Sequence, residues 1–219
     1  SIKEFIPTIN FLIKAGYSVV RINSFSEPQP HPSPYYLDFS SHNNLSSNDQ
    51  IIIASQASIL IGGDTGIVGV CQMLSHLPTL VVNGADWRPH VPWGNVILAP
   101  KRLAIENETA IQNTYTDTLL EFLFPVHGIW SSDLTSRFGF RLDHLSSQEI
   151  LMATVEFLSI VEGKASFSSS HHLGDIAAYQ IHSPDTLLTS ESFVYYTKLL
   201  LSILRLKHKT GSLHYASSN

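Results

Sequence analysis

Cysteine is almost absent from this chain: Cys71 stands alone, so no intrachain disulfide and no multi-cysteine metal site is available. That usage fits a reducing compartment, and Cys71 reads as a core residue. Charge is scarce as well. Only 14% of residues are Asp, Glu, Lys or Arg and the formal net charge is −5, which removes the basic field that sequence-independent nucleic-acid binding requires. No apolar run approaches the roughly 20 residues of a membrane-spanning helix. The N-terminus lacks the charged-then-apolar layout of a signal peptide, so the expected setting is cytoplasmic, at most peripheral at the inner face of the membrane. There is no repeat of the solenoid kind and no G-x-S-x-G nucleophile elbow. None of the 11 histidines has the i, i+4 spacing with carboxylates of a helical zinc site, so no metal is expected.

What is present is apolar. Hydrophobic residues make up 43% of 219, enough to bury one substantial core, or one domain with a long appendage. Ile2, Phe5, Ile6, Ile9, Leu12 and Ile13 recur at helical spacing and end at Gly16, which predicts a helix over Ile2 to Ala15 closed by a left-handed glycine. Tyr17 to Ile22 is short, β-branched and apolar, as expected of a strand covered on both faces in a parallel sheet. A proline-rich loop over Asn23 to Pro34 precedes a short strand over Tyr35 to Phe39. Ser46-x-x-Asp49 starts a helix continued by Ile51 to Ala57. The pattern then runs strand (Ser58 to Ile61), turn (Gly62-Gly63), helix (Thr65 to Leu77), strand (Thr79 to Val82), loop and strand (Asn95 to Ala99). Ser146-x-x-Glu149 is a capping box opening a helix to about Val161, and a last apolar helix covers about Ser190 to Lys207. Alternating strands and helices point to an α/β, Rossmann-like, doubly wound parallel sheet with a C-terminal helical extension. The expected division is one Rossmann-like domain over 1–165, then a serine-rich joint, helix and tail over 166–219. Ser1 leads straight into a helical pattern with no initiating Met, so the chain reads as a piece of something longer.

The strongest chemical signal is a strand followed by Gly62-Gly63-Asp64-Thr65-Gly66 and a helix. Glycines let backbone amides approach a ligand, and a helix N-terminus favours a diphosphate. Thr65 offers a hydroxyl to phosphate, while Asp64 suits sugar or ribose hydroxyls. The plainer reading is a tight turn with Asp64 capping a helix. Asp-Thr-Gly is also the catalytic triplet of aspartic proteases, so a hydrolase acting through Asp64 is a third reading, although no second copy exists in the chain. Arg21, near the end of the first strand, is either paired structurally or a fork-shaped clamp on phosphate. Asn83 ends a strand and either reads a base or ribose or closes a turn; Lys101 ends another and is a candidate to neutralise phosphate.

The succession Phe5-Ile6-Pro7, Gly16-Tyr17, Val19-Val20-Arg21, Tyr36-Leu37-Asp38-Phe39, Asp49, Ile61 to Gly66, Pro78, Val82-Asn83, Pro92-Trp93-Gly94 and Ala99-Pro100-Lys101 resembles a group of bacterial glycosyltransferases of GT-B type from surface-polysaccharide loci. Leu145 to Ile150 is similar to the start of a late helix of that group. Gly63-Asp64-Thr65-Gly66 followed by Pro78 is distantly similar to the donor loop of heptosyltransferases, with Gly69 where those carry His, and the fold resembles that of fucosyltransferases. The resemblance implies the C-terminal, donor-binding half of an enzyme that moves a sugar from a nucleoside-diphosphate sugar to a surface-glycan acceptor. It implies no required cofactor or metal, a donor site of Arg21, Gly62, Gly63, Asp64, Thr65, Gly66, Asn83 and Lys101, and a partner N-terminal acceptor domain, with the base and sugar open. A final helix around Phe193 to Leu206 would pack on that partner domain. The alternative from another class is a non-catalytic nucleotide or nucleotide-sugar binding module.

Overall fold

The computed structural model describes residues 2–22, 30–40, 45–63, 65, 66, 68, 70, 77–84, 96–115, 118, 131–164 and 187–209. It is a mixed α/β protein. Parallel strands β3 (Leu60–Gly62), β4 (Thr79–Val82), β5 (Val96–Ala99) and β8 (Leu187–Leu188) form one sheet in that order. Strands β1 (Val19–Arg21) and β2 (Tyr36–Asp38) form a separate parallel pair. Strands β6 (Arg102–Ile105) and β7 (Phe140–Asp143) form an antiparallel pair.

Strands β4 and β5 are buried at every position, and their alternate side chains serve two different cores. Leu80, Val82, Ile97 and Ala99 point to one face, where they meet helices α1 (Ile6–Lys14) and α5 (Ser147–Val161) through Leu12, Ile150, Ala153 and Phe157. Val81, Val96 and Leu98 point to the other, where they meet Leu103, Phe140 and helix α6 (Ser190–Lys209) through Tyr196, Leu199, Ile203 and Leu206. A period of two in the strands and three to four in the helices therefore builds three layers. The C-terminal helix is a wall of the core, not an extension from it.

Local chemistry sets the helix ends. Gly16 takes φ +94°, with its N–H donating to Ile13 C=O and the N–H of Tyr17 to Leu12 C=O, so the last orphan carbonyls of α1 are satisfied and the chain turns into β1. Ser46 and Asp49 cap helix α2 (Ser47–Ser55) reciprocally, and Ser146 and Glu149 do the same for α5. Helices α3 (Glu108–Asn113) and α4 (Ser132–Arg137) start at Asn107 and Ser131, whose side chains accept from Ala110 and Leu134 N–H. None of β6, β7, α3 and α4 was expected from periodicity. Gly139 joins α4 to β7 at φ +81°, and a Cβ there would lie 2.4 Å from Asn107 C=O, so glycine is required. Of the helix expected over Thr65 to Leu77, Gly66, Val68 and Val70 are helical and the end residues Thr65 and Leu77 are not; the rest of that range, with the loop over Trp87 to Trp93 and the serine-rich joint, lies outside the described residues.

Strand direction follows from α5. It starts beside the carboxyl end of β4, where Asn83 Oδ1 accepts from Leu145 N–H at 2.6 Å, and ends where Glu162 accepts from the Tyr17 hydroxyl at 3.3 Å. Tyr17 leads into β1, so β1 begins at the amino edge and runs the same way as β3 and β4.

Arg102 ties the layers. It is ion-paired with Glu149 at the start of α5 and with Glu191 of α6 at 2.7 Å, and its guanidinium lies 4.6 Å from the centre of the Tyr195 ring. Tyr195 and Tyr196 donate to Leu103 C=O and Lys101 C=O. At the other end of α6, the buried Lys207 donates to Gln112 C=O at 2.9 Å and to Thr114 C=O, the free carbonyls where α3 finishes.

Ile203→Ala should lower stability by about 2–5 kcal/mol in urea denaturation, as for any well-packed core aliphatic, whereas a detached extension would give almost no loss. Burial alone raises the Glu149 carboxyl, but the Ser146 bonds and Arg102 outweigh it and leave the pKa below its ordinary 4.5. A carboxyl depressed on folding stabilises above its unfolded value, and that stability drains as pH falls below it. Urea midpoints from pH 7 downward should therefore drop below pH 4.5, and by less in Glu149→Gln than in the wild type.

Candidate functional site at the carboxyl edge of the sheet

Because β3, β4 and β5 are parallel and in register, with Gly62 opposite Val81 and Val82 opposite Ala99, the segments that follow them emerge at one edge. The Asn83 N–H donates to Ala99 C=O at 2.8 Å and the Lys101 N–H to Gly84 C=O at 3.1 Å, which locks the exits of β4 and β5 together. The structure thus brings Gly63, Thr65, Gly66, Asn83 and Lys101 to a common border. Thr65 and Gly66 are exposed there. Asp64 lies outside the described residues.

The glycines differ in what they do. Gly62 belongs to β3 and not to a turn, because the ladder to β4 continues through it. A Cβ on Gly62 would meet Val68 Cγ2 at 3.1 Å, so this glycine lets the helical segment holding the buried Val68 lie close on the strand. A Cβ on Gly63 would lie 3.8 Å from Val82 C=O, an ordinary contact, so space at this position does not demand glycine. A Cβ on Gly66 would meet nothing within 4 Å, so a side chain there would project into open space.

Arg21 ends β1, in a strand pair separate from the sheet of β3 to β5, and its guanidinium is ion-paired to Asp38, its register partner on β2, at 2.9 Å. Structural pairing is the role the geometry displays for it. The nearby Tyr36 hydroxyl has its pKa raised, first by burial and then by the charge of Asp38, against which Arg21 acts. Asn83 adopts φ +57°, a left-handed conformation, and its side-chain oxygen holds the backbone leading into α5. That turn-closing role was one of its two sequence readings. Lys101 contributes its backbone at both ends: the N–H to Gly84 and the carbonyl to Tyr196.

Sequence reasoning missed Arg102, one residue beyond Lys101, and its pairing with Glu191 and with Glu149, legible in the sequence only as a helix cap. Their joint action rests on contacts 47 and 89 residues away in the chain, which no local pattern exposes. Among the described residues no group of three His, Cys, Asp or Glu is placed to hold a metal ion, and no helix is long and apolar enough to cross a membrane. No family model, no curated protein and no solved structure matches the chain.

Asn83→Ala should lose both the bond to Leu145 and the tolerance for left-handed backbone, about 2–3 kcal/mol together, while Asn83→Gly loses the bond alone, about 1 kcal/mol. Urea denaturation of the two variants should therefore rank alanine below glycine.

Proposed function

We propose that this chain is the donor-binding half of a GT-B type glycosyltransferase, a Rossmann-like doubly wound domain that holds a nucleoside-diphosphate sugar at the carboxyl edge of its parallel sheet. The observation that carries the reading is the convergence there of Gly63, the exposed Thr65 and Gly66, and the helical backbone at Gly66 and Val68, beside the exits of β4 and β5. Ligands of open α/β sheets bind outside the carboxyl ends of the strands, where the chain reverses its winding direction. Here β1 and β3 line a common cavity between the β1–β2 pair and the four-stranded sheet, and such a reversal would fall between them.

Backbone amides at a helix start and the Lys101 ammonium would bind the diphosphate and stabilise the negative charge that grows on it as the sugar departs. Thr65 would donate to a phosphate oxygen and Asp64 would accept from a sugar or ribose hydroxyl. The acceptor and its general base would come from a separate acceptor domain.

The test is a thermal-shift panel of UDP-, GDP-, ADP- and CMP-sugars. At about 100-fold above Kd the matching nucleotide should raise Tm by roughly 5 °C or more. Gly66→Val places its side chain in open space, so its ligand-free Tm should stay within about 2 °C of wild type while most of the ligand shift is lost. A wild type indifferent to every nucleotide, or a Gly66→Val chain that responds as wild type does, would refute the proposal.

A further inference from the structure

Between β1 and β3 lies an apolar slot of about 1150 Å³, lined also by Thr8, Ile9 and Leu12 of α1 and by Ile52 to Ala54 of α2. No residue of β4 lines it, so it opens on the edge of β3 that β4 does not use. Both walls are strand edges with unused backbone groups. Val19 N–H donates to Tyr35 C=O at 2.8 Å and Arg21 C=O accepts from Phe39 N–H at 2.9 Å, so these two residues face β2, and the N–H and C=O of Val20 face the slot. Leu60 N–H donates to Pro78 C=O at 2.9 Å, so Leu60 and Gly62 face β4 and Ile61 faces the slot. Apolar side chains stay wet around the opening: Val20 is 41% exposed and Ile52 60%. A strand interior to a parallel sheet is normally covered on every side, as β4 and β5 are.

The two edges match. They run in the same direction, since β1 starts at the amino edge of the sheet. Val19 and Ile61 already pack on the same core beneath α1 and α5, so Val20 and Leu60 share the opposite face. Placing Val20 opposite Leu60 satisfies both constraints at once. Val20 N–H then donates to Ile59 C=O, Ile61 N–H donates to Val20 C=O, and Ile22 and Gly62 finish level at the carboxyl edge.

We propose that the slot is the open position of a hinged sheet, and that β1 and β2 close on β3 to give one continuous six-stranded parallel sheet in the order β2-β1-β3-β4-β5-β8. Unsatisfied backbone groups and wet apolar walls favour closure. Closing also carries Arg21 and its partner Asp38 to the border of Gly62 to Gly66, completing the edge from β1 to β5. The closure depends on backbone complementarity alone and holds whether or not a nucleotide binds.

Amide hydrogen exchange of the ¹⁵N-labelled wild-type chain without ligand, with proton–proton contacts between backbone amides, tests it. The open position predicts an alternation, with Val19 and Leu60 protected and Val20 and Ile61 exchanging freely. Closure predicts protection of about tenfold or more at Val20 and Ile61 as well, together with an amide contact between β1 and β3. Free exchange at Val20 or Ile61 overturns the proposal, and so does protection of both without that contact.

Discussion

Everything in this fold depends on the requirement that a parallel sheet be covered on both faces. Its strands are linked through helical crossovers, and with alternate side chains pointing to opposite sides, any face left bare exposes a row of β-branched residues to water. Strands β4 and β5 meet the requirement fully: one set of side chains is sealed by α1 and α5, the other by α6 with β6 and β7. The helix nearest the C-terminus is thereby as necessary to the core as the one nearest the N-terminus. The same requirement makes β1 and β3 conspicuous, because each combines apolar sequence with an unpaired edge on a common cavity.

Polar contacts register these layers and do not drive them together. Arg102 holds the starts of α5 and α6 to β6, Lys207 caps α3 from the far end of α6, and Asn83 fixes where α5 leaves the sheet. Each satisfies a group that packing would otherwise bury at a cost. Arg102 is the most connected of them, with two carboxylates and an aromatic face sharing one guanidinium. These ties set where β4 and β5 leave the sheet, beside the candidate site.

How legible this was in the sequence depended on whether the deciding physics was local. Both Ser-x-x-acid boxes, the left-handed Gly16, and strands β4 and β5 were readable, because cap chemistry and short β-branched runs are set by neighbours in the chain. The region from Arg102 to Asp143 was not, because its strands pair across 34 or more intervening residues and its two described helices are six residues long, too short for periodicity to register. The C-terminal helix was seen, but whether it joined this core or stood apart could be decided only by where Tyr196, Leu199 and Ile203 pack. For the site, the convergence of the β3, β4 and β5 exits followed from the expected parallel order. The pairing of Arg21 with Asp38 and of Asn83 with Leu145 resolved choices between structural and ligand-facing roles that residue type alone left open.

The central claim is that the carboxyl edge, and no other surface, takes a nucleoside diphosphate. Titrating the ¹⁵N-labelled chain with the diphosphate while following every backbone amide tests this most directly. The account predicts saturable shifts at Gly63, Thr65, Gly66, Gly84 and Lys101 with none at Ser18 and Ser58 on the amino edge. Shifts that leave the Gly63 to Gly66 amides unmoved, or that cluster at the amino edge, would contradict it.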